Sequence, residues 1–89
     1  MHATATLVTN ECSGCGVYIV RTHAANEDAY TWSCVAKISG DTATLYGVLT
    51  APTRAERVAL IDKLKSLGVK RMEWERRTGC GRRRTGVRI

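Results

Sequence analysis

The stretch that decides the fold is TRAERVALIDKLKSLG (residues 53–68) followed by VKRMEWERR (residues 69–77). Its first part has the pattern of an amphipathic helix over about residues 54–67. Thr53 and Glu56 have the T-x-x-E spacing of a capping box, in which each side chain accepts a hydrogen bond from the backbone N–H of the other residue. Gly68 can adopt the left-handed conformation that often ends a helix. The apolar positions share one stripe: Leu60, Ile61, Leu64 and Leu67.

After Gly68 the apolar period changes to two, which predicts a half-buried strand. Met72 and Trp74 share one face of this strand, and Glu73 and Glu75 share the other. The glutamates lie among arginines, and we interpret them as members of cross-strand ion pairs rather than as paired catalytic carboxylates.

The residues before the helix favour strands. Candidate strands lie at residues 5–9, 17–22, 30–39 and 42–50, and a last one at 82–89. Turn signals lie at residues 39–41 and 78–81. Strict alternation in the third segment predicts one common face for Tyr30, Trp32, Cys34, Ala36 and Ile38.

This order of elements predicts a single α+β domain over residues 1–89. We expect an antiparallel sheet of four to five strands with one helix, at about residues 54–67, packed on one face. The order is roughly β-β-β-α-β, with a further strand at the end. A basic hairpin or tail at about residues 76–89 completes the chain.

Composition limits the class of protein. The chain has 89 residues, of which 44% are hydrophobic and 25% charged, as in an ordinary globular domain. No apolar run approaches the roughly 20 residues that span a bilayer, and the N-terminus lacks the basic start and apolar core of a signal peptide. We therefore expect a cytoplasmic protein that does not associate with membranes, whose cysteines are thiols or metal ligands rather than disulfides.

The positive charge is concentrated in the C-terminal part. Residues 1–52 carry two basic and four acidic side chains, whereas residues 53–89 carry twelve basic and four acidic ones. The net charge is thus −2 in the first segment and +8 in the second. This asymmetry indicates an anionic partner for the second segment.

The cysteines form one motif of interest. Cys12 and Cys15 have the C-x-x-C-G pattern of a zinc knuckle, but a structural zinc site needs four ligands and no second close pair follows. Further ligands could come from His2, His23, Cys34 and Cys80. Plain thiols in a tight turn, or a Cys12–Cys15 disulfide, are the alternatives, and no cofactor is predicted. Beside its polar loop, His23 is interpreted as a solvent-exposed histidine.

The strongest candidate site is a cluster of arginines. Its members lie within thirteen positions: Arg76, Arg77, Arg82, Arg83, Arg84 and Arg88. If the last two strands pair, these guanidinium groups crowd one edge of the sheet, and an anionic partner relieves their repulsion. Arginine binds phosphate and carboxylate in bidentate geometry. The structural alternative is a solubilising basic tail.

One part of the chain resembles the central strand–helix–strand of the acyl-CoA-dependent acetyltransferase superfamily. This part consists of residues 44–50, the helix and residues 67–74. That superfamily holds its cofactor pyrophosphate on a glycine-rich loop at the start of the helix. Here the corresponding segment is Ala51-Pro-Thr-Arg-Ala-Glu56, which has no glycine and places a carboxylate where the anion would bind. No residue roles are carried over, and acetyl transfer is not predicted.

The sequence therefore leads to a hypothesis of binding without catalysis. In the first version, the arginine cluster contacts nucleic-acid phosphate. In the second, the protein is a small modulator or inhibitor that docks on an acidic protein surface. We found no triad, complete metal set or phosphate loop in the sequence that would support an enzyme, and no small-molecule substrate is indicated.

Overall fold

The computed structural model describes residues 1–12, 15–24, 29–48, 50–78 and 81–89, with the backbone alone described at positions 11, 12, 76–78 and 81–84. These described residues form six strands and one helix. Their bounds are β1 His2–Cys12, β2 Cys15–His23, β3 Tyr30–Ser39, β4 Thr42–Tyr46, α1 Arg54–Ser66, β5 Arg71–Thr78 and β6 Gly81–Arg88.

The strands form one mixed sheet in which the spatial order is the chain order, β1 to β6. Neighbouring strands are antiparallel except β4 and β5, which are parallel. The predicted α+β class is confirmed, but the prediction of a four- to five-stranded antiparallel sheet was wrong in both respects. The helix carries the chain back along the sheet before β5 begins, and this crossover makes β5 parallel to β4.

The predicted helix is confirmed to within one residue, together with both of its ends. The Thr53 N–H donates to Glu56 Oε1 at 2.8 Å, and the Glu56 N–H donates to Thr53 Oγ1 at 3.2 Å. At the C-terminal end Gly68 has φ +85°, and the Val69 N–H donates to the Leu64 carbonyl at 3.1 Å. These contacts form the reciprocal N-terminal cap and the Schellman ending expected from the sequence.

The helix packs on one face of the sheet, against β1 and β2. Leu60 and Leu64 are fully buried there with Val20, while Leu67, the last member of the predicted stripe, is 38% exposed. Ala36 on β3 and Ala43 on β4 are also fully buried. Among the described residues no helix has the length and apolar character needed to cross a membrane.

We call the other side of the sheet the open face. Along each strand its residues alternate with the core residues that face the helix. One row of paired residues crosses it through Thr6, Ile19, Val35 and Tyr46. The next rows are Thr4, Arg21 and Ser33, and then His2, His23 and Tyr30. The open face therefore mixes apolar, hydroxyl, cationic and ring side chains.

A bulge in β3 corrects the predicted position of Tyr30. The register passes from Thr22↔Trp32 directly to His23↔Tyr30, so Thr31 is an extra residue in β3. The Thr31 hydroxyl lies 2.9 Å from the hydroxyl of buried Thr22, on the helix side of the sheet. Because the bulge uses one residue, Tyr30 turns to the open face instead of sharing the face of Trp32.

Candidate functional site

The backbone register brings most of the predicted arginine cluster together at the turn end of the β5–β6 hairpin. Arg76 pairs with Arg83, Arg77 with Arg82, and Glu75 with Arg84. Directly opposed residues in an antiparallel pair have Cβ atoms about 5 Å apart. We call these five positions the arginine tip: Arg76, Arg77, Arg82, Arg83 and Arg84. Their side chains lie outside the described part of the structure, so the site is defined here by its backbone positions.

The sixth predicted residue, Arg88, does not belong to the tip. It pairs with Arg71, five residues along β5 from the Arg76–Arg83 pair. At about 3.4 Å per residue the separation is about 17 Å. The sequence placed Arg88 in the cluster because it is close along the chain, whereas the hairpin carries it to the opposite end of the sheet.

The arginine tip extends beyond the end of β4, the strand next to β5. β4 ends at Tyr46 and its register with β5 ends at the Leu45↔Trp74 pair, whereas β5 continues to Thr78. The last residues of β5 therefore extend past the end of β4 together with their β6 partners.

At the other end of the hairpin, Glu73, one of the two glutamates interpreted as ion-pair members, forms an ion pair. The Arg71 Nε–H donates to Glu73 Oε1 at 3.2 Å. A Cβ at position 86 would lie 2.6 Å from Arg71 Nη2, so a larger residue there would require the end of the Arg71 side chain to move. Glycine at this position leaves room for the Arg71 side chain to lie across β6. The pairing, which lies within β5, supports the structural interpretation of Glu73.

Two tyrosines at the arginine-tip end of the sheet were not predicted from the sequence as site residues. Tyr30 is 56% exposed and Tyr46 is 46% exposed, and both lie on the open face. The Arg21 guanidinium carbon is 4.9 Å from the centre of the Tyr30 ring, within cation–π range. The alternation of β4 could have identified Tyr46, since it follows core residue Leu45. Tyr30 could not be assigned without the bulge.

The cysteines occupy different environments. Cys15 is disulfide-bonded, and Cys12 is its backbone neighbour across the β1–β2 hairpin. The expectation that the cysteines are thiols or metal ligands was therefore wrong for Cys15, whose sulfur is not available as a zinc-binding thiolate. Cys34 is a free, buried thiol in the core, where desolvation raises its pKa to about 12. Residue 80 lies outside the described residues.

His23 is not solvent-exposed, contrary to expectation. It is 8% exposed, its Nε2 lies 2.9 Å from Thr4 Oγ1, and its ring stacks on His2 with centroids 5.0 Å apart. It is thus packed against edge strand β1. In the described part of the chain, no three His, Cys, Asp or Glu side chains group in a way that could hold a metal ion.

Glu56 is a buried carboxylate that caps the helix. It lies between the helix and the sheet at 6% exposure. Hydrogen bonds from the Thr31 side chain and the Thr53 backbone lower its pKa, against the opposing effect of desolvation. Its neighbours are hydroxyl and backbone groups of the fold, so we assign it to capping rather than to chemistry.

Comparison with known proteins adds no identification. The chain matches no protein-family model, and neither the curated proteins nor the solved structures contain a match to it.

Proposed function

We propose that this protein binds nucleic acid without catalysing a reaction, and that the arginine tip contacts the phosphate backbone. The observation that carries the proposal is the register of the β5–β6 hairpin, which opposes Arg76 to Arg83 and Arg77 to Arg82. Opposed like charges destabilise an antiparallel pair. An anion bound over an opposed pair converts this repulsion into attraction.

The chemistry of the tip favours phosphate. Arginine keeps its charge at all physiological pH values and donates two parallel hydrogen bonds to a phosphate. Five arginine positions lie within three successive pairs, against one acidic residue, Glu75. A repeating polyanion can neutralise such a density of charge, with the release of bound counterions.

Fluorescence anisotropy at low salt tests the proposal. Labelled single-stranded and duplex oligonucleotides are titrated with the purified protein, and we expect binding that weakens steeply as salt is added. Absence of binding to every oligonucleotide at low salt would refute the proposal.

A pull-down with the same purified protein distinguishes a nucleic-acid partner from an acidic protein partner, which is the second hypothesis. In an affinity pull-down with and without nuclease, nucleic-acid binding predicts that captured material is lost after nuclease treatment. An acidic protein that remains bound after nuclease, combined with no oligonucleotide binding, would favour the modulator hypothesis instead.

A further inference from the structure

The open face adds a feature that the arginine tip lacks, namely exposed aromatic rings. Tyr30 and Tyr46 are the two tyrosines on this face, whereas Trp32, Trp74 and Tyr18 lie on the helix side, in or against the core. Along the strands the two tyrosines are separated by about four residues, or about 14 Å, and they lie on neighbouring strands. They therefore belong to one continuous surface.

Local structure determines the face of the sheet on which each tyrosine lies. The bulge at Thr31 turns Tyr30 outward, and the hydrogen bond between Thr31 and Thr22 holds the bulge in place. Arg21, on the adjacent strand, lies against the Tyr30 ring and limits its movement. Tyr46 is the last residue of β4, and it is followed by Gly47 at φ +66°, where the chain leaves the sheet.

The surface between the rings is suited to bases. The half-buried side chains of Ile19 and Val35 form its floor, and Ser33 provides a hydroxyl group. Arg21 lies on the same face and contributes positive charge. One of the acidic residues of this face, Glu73, is already paired with Arg71.

The arginine tip borders this surface. Since Leu45 pairs with Trp74, Tyr46 is level with Glu75, and Glu75 pairs with Arg84, a member of the tip. A nucleic-acid strand whose bases lie on the open face would therefore bring its phosphates to the tip. Aromatic rings stack on bases of any sequence, but only on bases that are not already stacked inside a duplex.

We propose that the open face selects single-stranded nucleic acid, with Tyr30 and Tyr46 stacking on its bases. This inference rests on the proposed function, because it takes the arginine tip as the phosphate site. It adds the class of nucleic acid and the two residues that recognise it.

The test compares Tyr30→Ala and Tyr46→Ala with the wild type, using one single-stranded oligonucleotide and its duplex. We expect each substitution to weaken single-strand binding roughly tenfold, to leave duplex binding unchanged, and to leave the salt dependence unchanged because no phosphate contact is lost. Tyr30→Phe and Tyr46→Phe keep the rings and should bind as the wild type does. Val58→Ala removes a similarly exposed apolar side chain from the helix and is the matched control.

The outcomes separate the two proposals. If the tyrosine variants bind single strands as tightly as the wild type does, or lose single-strand and duplex binding equally, the open face is not a base-binding surface and the arginine tip can still bind phosphate. If the wild type binds no oligonucleotide, the proposed function fails and this inference fails with it. Unchanged circular dichroism of each variant ensures that lost binding does not reflect unfolding.

Discussion

Glu56 and Thr22 are joined across the interface between the helix and the sheet. The Thr22 hydroxyl donates to Glu56 Oε2 at 3.5 Å, while Glu56 Oε1 accepts from the Thr53 N–H at 2.8 Å. One carboxylate therefore caps the helix and also ties it to β2. This double contact explains why a charged residue is buried at this point.

Replacement of this carboxylate should destabilise the fold. Glu56→Ala removes the reciprocal cap and takes a partner from the buried Thr22 hydroxyl, and we expect a loss of about 2 kcal/mol in the free energy of unfolding. Asp62→Ala, which removes an exposed acidic residue from the same helix, should change this free energy by less than about 0.5 kcal/mol. Urea denaturation measures both, and equal stabilities of the two variants would contradict the assignment.

The lowered pKa of Glu56 makes its contribution depend on pH. The carboxylate has a lower pKa in the folded protein than in the unfolded chain, where it is about 4.3. Its charge therefore stabilises the fold above this value, and the stabilisation is lost as the pH falls through the folded-state pKa. Urea denaturation between pH 3 and 7 should show the wild type losing its advantage over Glu56→Gln at acidic pH. A difference that stays constant over this range would contradict the prediction.

Cys34 should be chemically inert in the native protein. Burial raises the pKa of its thiol to about 12, so very little reactive thiolate exists at pH 8. N-ethylmaleimide followed by peptide mapping should leave Cys34 unlabelled in the folded state and label it fully in denaturant. Rapid labelling of native Cys34 would show that β3 is not part of a closed core.

The parts of the fold that could be predicted are those set by neighbouring residues. The spacing of Thr53, Glu56 and Gly68 determines both ends of the helix, because capping requires particular groups at fixed positions. The alternation of apolar residues likewise identifies the core side chains of β3 from Trp32 to Ile38.

The remaining features depend on contacts between distant residues. The parallel pairing of β4 with β5 follows from the crossover of the helix, and the sequence contains no local signal for it. The bulge that turns Tyr30 outward depends on the hydrogen bond of Thr31 with Thr22 on another strand. In the candidate site, the exclusion of Arg88 from the arginine tip required the hairpin register.

The most direct test of the central claim is the salt dependence of oligonucleotide binding by two triple variants. Arg82→Ala/Arg83→Ala/Arg84→Ala removes three charges from the arginine tip, and Arg54→Ala/Arg57→Ala/Lys65→Ala removes three exposed charges from the helix, which packs against β1 and β2. For single strands, we expect the log–log salt slope to fall by about 2 in the tip variant and to stay at the wild-type value in the helix variant. Equal slopes for the two variants would show that net charge, and not the arginine tip, determines binding.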